Sequence, residues 1–373
     1  MIPFNVPFVP EVSKRYVLDA LESNHQQGDG PFTSKASKMI SKLVGGGHVL
    51  LTPSCTHALE MASMLANIGP GDEVILPSYT FTSAATAITK FGATPVFVDI
   101  EMETKGIDVN QVRDAISSRT KAISWVNYAG VAPDVEGLQS IAQEFDLLLI
   151  EDNAHGLGGA HKGKPLGSFG DFATQSFHAT KNIQCGEGGA LVVNNPKFIE
   201  RAEIIREKGT NRSKYTRGEV EKYQWVDTGS SYLLAESLAA MLLGQLETFG
   251  HIQKQRKSVT EFYTSSLQDV GICELPRVIS ESHHLFYVTL RKELRESIIS
   301  AMKSSGVQLA THYEPLHNSL FSQKKGYNKR NLANSMSLSK SLVRFPIWSQ
   351  MSLENSSFVV NTFKKVLEEM RIK

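Results

Sequence analysis

Cysteine is scarce in this sequence: 373 residues contain three, Cys55, Cys185 and Cys273. They form no Cys-x-x-Cys pair and their spacing is irregular, which excludes a disulfide scaffold and fits a reducing compartment. An excess of charge of one sign is also missing. Lys plus Arg number 39 against 38 for Asp plus Glu, a formal net charge of +1. Neither a nucleic-acid surface nor a polybasic membrane anchor is indicated, so any anionic ligand must be held by local groups. No uninterrupted apolar run approaches the ~20 residues that a membrane helix needs. The opening stretch has Pro3, Pro7 and Pro10 and no basic segment, so it does not read as a secretory leader. There is no internal repeat and no low-complexity segment. These absences describe a soluble cytoplasmic protein. Its 373 residues suit a large α/β domain followed by a smaller one.

What is present is a regular alternation. Short apolar runs at 49–51, 73–77, 96–99, 122–126, 147–150 and 191–193 read as buried strands. Between and around them, 11–23, 33–43, 57–67, 108–118, 135–145 and 196–208 have helical spacing. Thr33 is the expected N-cap of the second helix, and Thr56 fits as the cap of the third. Strands alternating with helices of this length imply right-handed βαβ units and a largely parallel sheet. One long helix over 233–267 is expected to lead into a smaller α+β unit with a strand near 285–290, helices near 292–304 and 353–369, and an extended run at 307–310. The expected division is 1–248 for the large domain and 249–373 for the small one.

Two stretches carry chemistry. Asp152 follows the apolar run at 147–150, at the carboxyl end of a parallel strand, where open α/β sheets bind their ligands. Lys181 lies in a segment rich in small and apolar residues, followed by Gly186, Gly188 and Gly189, which let other backbone approach closely. A lysine enclosed in this way loses protons more readily and can condense with an aldehyde. A carboxylate at the strand end can keep the ring nitrogen of pyridoxal phosphate (PLP) protonated, which sustains the ring as an electron sink. The turn at Ser54, Cys55 and Thr56 joins a strand to a helix and presents free N–H groups to an anion. His155, His161, His178 and Cys185 match no metal-ligand spacing, and no metal site is expected.

The order Glu-Asp-x-Ala-His at 151–155 and Ser-Phe-His-x-Thr-Lys-Asn-x-x-x-Gly-Glu-Gly-Gly at 176–189 resembles the DegT/DnrJ/EryC1/StrS family of PLP-dependent sugar aminotransferases. The likeness runs from the first residues through Tyr313, Glu314, Pro315, Leu316 and His317. Within the family it is strongest to the transaminases that form dTDP-4-amino-4,6-dideoxygalactose. The resemblance implies an aspartate-aminotransferase-like (fold type I) architecture. It implies Lys181 as the catalytic residue that also holds PLP, with Asp152 on the ring nitrogen and Phe81 on the ring face. Cys55, Thr56 and Ser176 then bind the phosphate. His155 stands where the family has glutamine and stacks on the cofactor. Ser231, with Ser230 beside it, replaces the asparagine that the family contributes to the neighbouring subunit's phosphate site, which implies a homodimer. Tyr313 and His317 are implied as sugar contacts.

The function implied is transfer of the amino group of L-glutamate to C4 of a dTDP-4-keto-6-deoxy sugar, for surface polysaccharide synthesis. A C3 aminotransferase of the same family stays open, as does a regulatory protein without turnover. Lys181 contradicts a sugar dehydratase, since the enzymes of the family that eliminate at C3 have histidine at that place.

Overall fold

Asp152 closes the strand at the middle of a seven-stranded sheet. A computed structural model of the chain describes residues 1–371, so the expected small domain is described up to residue 371. In chain order the strands are β1 His48–Thr52, β2 Glu73–Pro77, β3 Thr94–Val98, β4 Thr120–Val126, β5 Leu148–Asp152, β6 Ala160–His161, β7 Lys164–Pro165, β8 Phe172–Ser176, β9 Gly189–Val193, β10 Phe286–Thr289 and β11 Leu342–Phe345. The central sheet has the order β1-β9-β8-β5-β4-β2-β3. The pairs β2–β3, β2–β4, β4–β5 and β5–β8 are parallel, and only β9 runs against its neighbours. The sheet is mostly parallel and flanked by helices, with a smaller α+β part at the C-terminal end, the architecture that the resemblance implies.

Helices cover both faces, which is why the strands read as continuous apolar runs rather than alternating ones. Val74 and Leu76 of β2 pack with the helices Cys55–Leu65 and Thr82–Thr89, while Ile75 between them packs with the helices Val109–Ala115 and Val135–Phe145 on the other face. A third cluster joins β1, β8 and β9 to the helices Pro31–Leu43 and Glu236–Glu247. A separate core is built from β10, β11 and the helices Phe249–Leu267, Lys292–Ser304 and Leu353–Glu369. The first residues lie against this second core: Ile2 packs on it and pairs with Val307, and the Phe4 N–H donates to Gln308 Oε1 at 3.1 Å.

Several local expectations are corrected. The second helix begins at Pro31, since proline fits the first turn. Thr33 is not its cap: it lies inside the helix, buried, with its N–H and hydroxyl both on the Glu236 carboxylate. The third helix begins at Cys55 and its cap is Ser54, whose hydroxyl accepts the His57 N–H at 3.2 Å. Thr56 instead places its hydroxyl 2.7 Å from that of Ser83. The single helix expected over 233–267 is two, Glu236–Glu247 and Phe249–Leu267, interrupted at Thr248. The Thr248 hydroxyl donates to the carbonyls of Gly244 and Gln245 at 3.0 Å, a local bond of the kind that bends helices. The run at 307–310 forms no strand of its own, only single bridges from Val307 to Ile2 and from Ala310 to Arg344. Strand β8 escapes sequence reading because Phe-Ala-Thr-Gln-Ser has little apolar character; its place between β5 and β9 buries it.

Candidate active site

Lys181 rides on the connection between β8 and β9. The antiparallel pairing of these strands continues past Ser176 and Gly189, with bonds from the Phe177 N–H to the Gly188 carbonyl and from the Ala179 N–H to the Gly186 carbonyl, both 2.8 Å. Gly186 turns the chain at φ +83°, a left-handed conformation that a side chain disfavours. The tip is pinned from outside. Asn182 Nδ2 donates to the carbonyls of Leu157 (3.4 Å) and Ser282 (3.2 Å), and Gln184 Nε2 to that of Phe8 (2.9 Å).

The lysine therefore projects into a cavity of about 760 Å³ whose wall includes Asp152, Cys55 and Tyr313. Removal from water lowers the Lys181 pKa from 10.5 to about 8, opposed by Cys55 and Asp152 and assisted by the Arg344 charge. Burial raises the Asp152 carboxyl above its ordinary range, while the Ala154 N–H, donating at 3.0 Å, and the Lys181 charge pull it back. Strand alternation sends the preceding residue elsewhere: Glu151, fully buried, accepts the Gly167 and Phe169 N–H groups at 2.6 and 2.9 Å and Asn127 Nδ2 at 2.8 Å. Glu151 thus organises the loop behind the sheet, and Asp152 faces the cavity.

The floor is the N-terminus of the helix Cys55–Leu65. Helices leave their first N–H groups without partners inside the helix, so this turn offers donors to an anion. Gly189 lets it sit there: a Cβ on this residue would lie 2.3 Å from the Ser54 carbonyl carbon and 2.4 Å from the Cys55 nitrogen. Cys55 Sγ is 3.4 Å from Thr174 Oγ1 and 4.0 Å from Asp152, and burial pushes its thiol well up, which leaves it neutral. Ser176, Thr56 and Ser83 complete this side with hydroxyls.

The opposite wall is aromatic. His155 is buried and stacks on His284 with centroids 4.5 Å apart; His312 stacks on Tyr313 at 3.8 Å. Tyr128 closes the group, its hydroxyl 2.6 Å from His312 Nδ1. Burial lowers all three histidines well below the usual imidazole value, so they are neutral rings. Of this wall, sequence reading picked out His155 and Tyr313. It missed His284, His312, Tyr128 and Arg344, for which no local motif exists.

The structure brings Lys181, Asp152, Cys55, Thr56, Phe81, His155, Ser176 and Tyr313 to one cavity. Phe81 is 56% exposed and tilted 45° to Tyr313, so it stands at the mouth. Two candidates lie elsewhere. His317 is buried behind the wall, with Nδ1 2.6 Å from Ser78 Oγ, because the short helix Leu316–Asn318 docks on the end of β2. Ser231 is exposed in a second cavity of about 1220 Å³, paired with Glu207, and Lys181 is not among the residues lining that cavity.

The profile of the DegT/DnrJ/EryC1/StrS aminotransferase family matches residues 10–364. The chain belongs to this family. Among proteins similar to this DegT-family chain, an uncharacterized protein of Methanocaldococcus jannaschii is 32% identical over 99% of this chain and 98% of its own. The spore coat polysaccharide biosynthesis protein SpsC of Bacillus subtilis is 28% identical over 98% and 97%. In structure, the candidate sugar aminotransferase Spr1654 of Streptococcus pneumoniae, in its PMP form, superposes with a TM-score of 0.91 at 27% identity, covering 99% of this chain and 100% of its own. Spr1654 is also solved in a PLP form.

The protein is a PLP-dependent aminotransferase of the DegT family. Its residues fit that cofactor on their own chemistry. The cavity holds an amine with a pKa of about 8, a buried carboxylate, a helix terminus kept open by Gly189 and a wall of neutral rings.

Proposed function

We propose that this enzyme transfers the amino group of L-glutamate to C4 of dTDP-4-dehydro-6-deoxy-D-glucose. The product is a dTDP-4-amino-4,6-dideoxyhexose for surface polysaccharide, of galacto or gluco configuration. The observation that carries this is the enclosure of Lys181 with Asp152 in a cavity of about 760 Å³, roomy enough for a cofactor and a hexose. The similarity to Spr1654, a candidate sugar aminotransferase, and to SpsC, a spore coat polysaccharide biosynthesis protein, supports the substrate class.

When bound, PLP supplies an electron sink for the carbon that loses a proton. The rest falls to the chain. Lys181 is the catalytic residue: an amine with a pKa of about 8 both takes and returns a proton near neutrality, so Nζ would take the proton from the Cα of the amino acid and give it back in the course of the transfer. The same amine holds the cofactor between turnovers. Asp152 accepts the hydrogen bond of the ring nitrogen. The N–H groups of Cys55 and Thr56, with the Ser176 hydroxyl, hold the phosphate. His155 and Phe81 flank the ring, and Tyr313 orients the sugar. His317 positions the Tyr313 segment through Ser78 rather than touching the sugar. Ser231 is assigned to the phosphate site of a second copy in a homodimer, since no part of its own cavity includes Lys181. The break at Thr248 is taken as the boundary of the two domains.

Incubation with the dTDP-ketosugar and L-glutamate, followed by NMR of the product, tests the proposal. An amine on C4 is expected, and an amine on C3 or an unchanged sugar would overturn it.

A further inference from the structure

Three consecutive carbonyls ahead of β10 are held by side chains. The Ser282 carbonyl accepts Asn182 Nδ2 at 3.2 Å and Gln253 Nε2 at 3.0 Å. The His283 carbonyl accepts Arg256 Nε at 2.8 Å, and the His284 carbonyl accepts Nη2 of the same arginine. Gln253 and Arg256 are three residues apart on the helix Phe249–Leu267, so both present to one side of it. Arg256 is buried, which lowers its pKa to about 10, and among the described residues no carboxylate pairs with it. A guanidinium enclosed without an anion is costly, so the carbonyls that it holds are held at a cost.

The segment is also strained and crowded. His283 has φ +44°, in the left-handed region that side chains disfavour. The hydroxyls of Ser280 and Ser282 and the carbonyl of His155 fill the place that a side chain on Gly130 would take. Strain of this kind persists where the surroundings over-determine it, and it concentrates at working sites. What the arrangement fixes is the ring of His284, which stands 4.5 Å from the His155 ring with the planes 28° apart. His284 Nδ1 is buried without a hydrogen-bond partner, so the position makes use of a flat ring rather than of that nitrogen.

His155 is thereby held on three sides. The Ala129 N–H meets Nδ1 at 3.3 Å, the Tyr313 hydroxyl lies 3.1 Å from Nε2, and His284 covers one face. We infer that His284 is a positioning residue for the cofactor, backing the His155 ring so that the opposite face of that imidazole stays flat against the PLP ring. Arg256 in turn holds His284, whose carbonyl ends on the guanidinium together with the one before it. Without the backing ring, His155 is free to tilt about its two edge contacts, and a tilt removes the stacked arrangement that flat rings prefer. The inference rests on the placement of His155 against PLP in the proposed function, and not on the identity of the sugar.

PLP titration of the cofactor-free enzyme, followed by absorbance and by the visible circular-dichroism band of the bound cofactor, tests it in a double-mutant cycle. His284→Ala is expected to weaken PLP about 5- to 10-fold, as loss of an aromatic contact does, and to reduce the dichroism per bound PLP. His284→Leu fills the space without a flat ring; the same loss is expected of it, and it stands in if the alanine variant does not fold. His284→Phe, which keeps a flat ring and lacks the nitrogens, is expected to restore both readings to within about 2-fold of wild type. In a His155→Ala background, removing the His284 ring is expected to have no further effect, because no ring is left to back. A merely structural role would lower affinity equally in both backgrounds. Additive losses would therefore overturn the inference while leaving His155 on the cofactor, and so would an unchanged Kd in His284→Ala or a phenylalanine variant as weak as the alanine one. An unchanged Kd in His155→Ala alone would remove His155 from the cofactor face and end both assignments.

Discussion

The hydroxyl of Tyr313 stands 3.1 Å from Nε2 of His155, whose Nδ1 accepts the Ala129 N–H at 3.3 Å. Burial keeps the imidazole neutral, and a neutral ring that accepts at Nδ1 carries its proton on Nε2. Tyr313 therefore receives the hydrogen bond from His155, which leaves its own proton free for a ligand.

Tyr313→Phe removes that donor while keeping the ring on His312. Its kcat/KM for the ketosugar is expected to fall about 10- to 100-fold, the worth of one buried hydrogen bond to substrate. The cofactor spectrum is expected to be unchanged. Steady-state kinetics beside an absorbance spectrum checks both; an unaltered kcat/KM would remove Tyr313 from the substrate site.

The depressed pKa of Lys181 sets a pH dependence. In cofactor-free enzyme the reactive free amine appears as pH rises through about 8 rather than 10.5, so the rate of PLP uptake is expected to climb with a midpoint near 8. Asp152 favours the ammonium, so Asp152→Asn is expected to shift the midpoint lower. The folded lysine binds fewer protons than the unfolded one between these two values, so cofactor-free protein is expected to gain stability with rising pH across that window. Stopped-flow absorbance and thermal melts over pH 7 to 10, in steps of about half a unit, read both effects. A midpoint near 10.5 would show that the lysine is solvated.

Gly189→Ala puts a methyl group against the Ser54–Cys55 backbone, at separations of 2.3 and 2.4 Å that no packing tolerates. The turn must shift, costing about 1–3 kcal/mol of stability. Affinity for PLP is expected to fall more than melting temperature alone explains, because the displaced N–H groups are those assigned to the phosphate. Equal PLP affinity in mutant and wild type would place the phosphate elsewhere.

Glu236 is buried and its carboxylate accepts the N–H groups of Gly30, Phe32 and Thr33 at 2.8 to 3.0 Å, together with the Thr33 hydroxyl. It serves as the N-terminal cap of the helix Pro31–Leu43 from two hundred residues away, favoured by the helix dipole. Glu236→Ala is expected to destabilise the protein by about 2–4 kcal/mol. Denaturant unfolding would show it, and a loss below about 1 kcal/mol would mean that water replaces the cap.

Local order along the chain was enough for the strands that end at Pro77, Val98, Val126 and Asp152, and for the pairing of Asp152 with Lys181 as chemical partners. An apolar run of five residues, or a carboxylate at a strand end, is a property of adjacent residues, and adjacent residues are what a sequence displays. The same reading missed β8, put a cap at Thr33 and joined two helices across Thr248, because burial by a neighbouring strand, a carboxylate at position 236 and a side chain bonding to its own helix are not visible in a short window. Only the packed molecule decided that His284, His312 and Arg344 stand around Lys181, that His317 turns away to Ser78, and that Ser231 faces a different cavity. Those placements follow from strand order and from how the second core docks on the first. Both are set by the burial of the whole chain at once, where residues more than a hundred positions apart become neighbours.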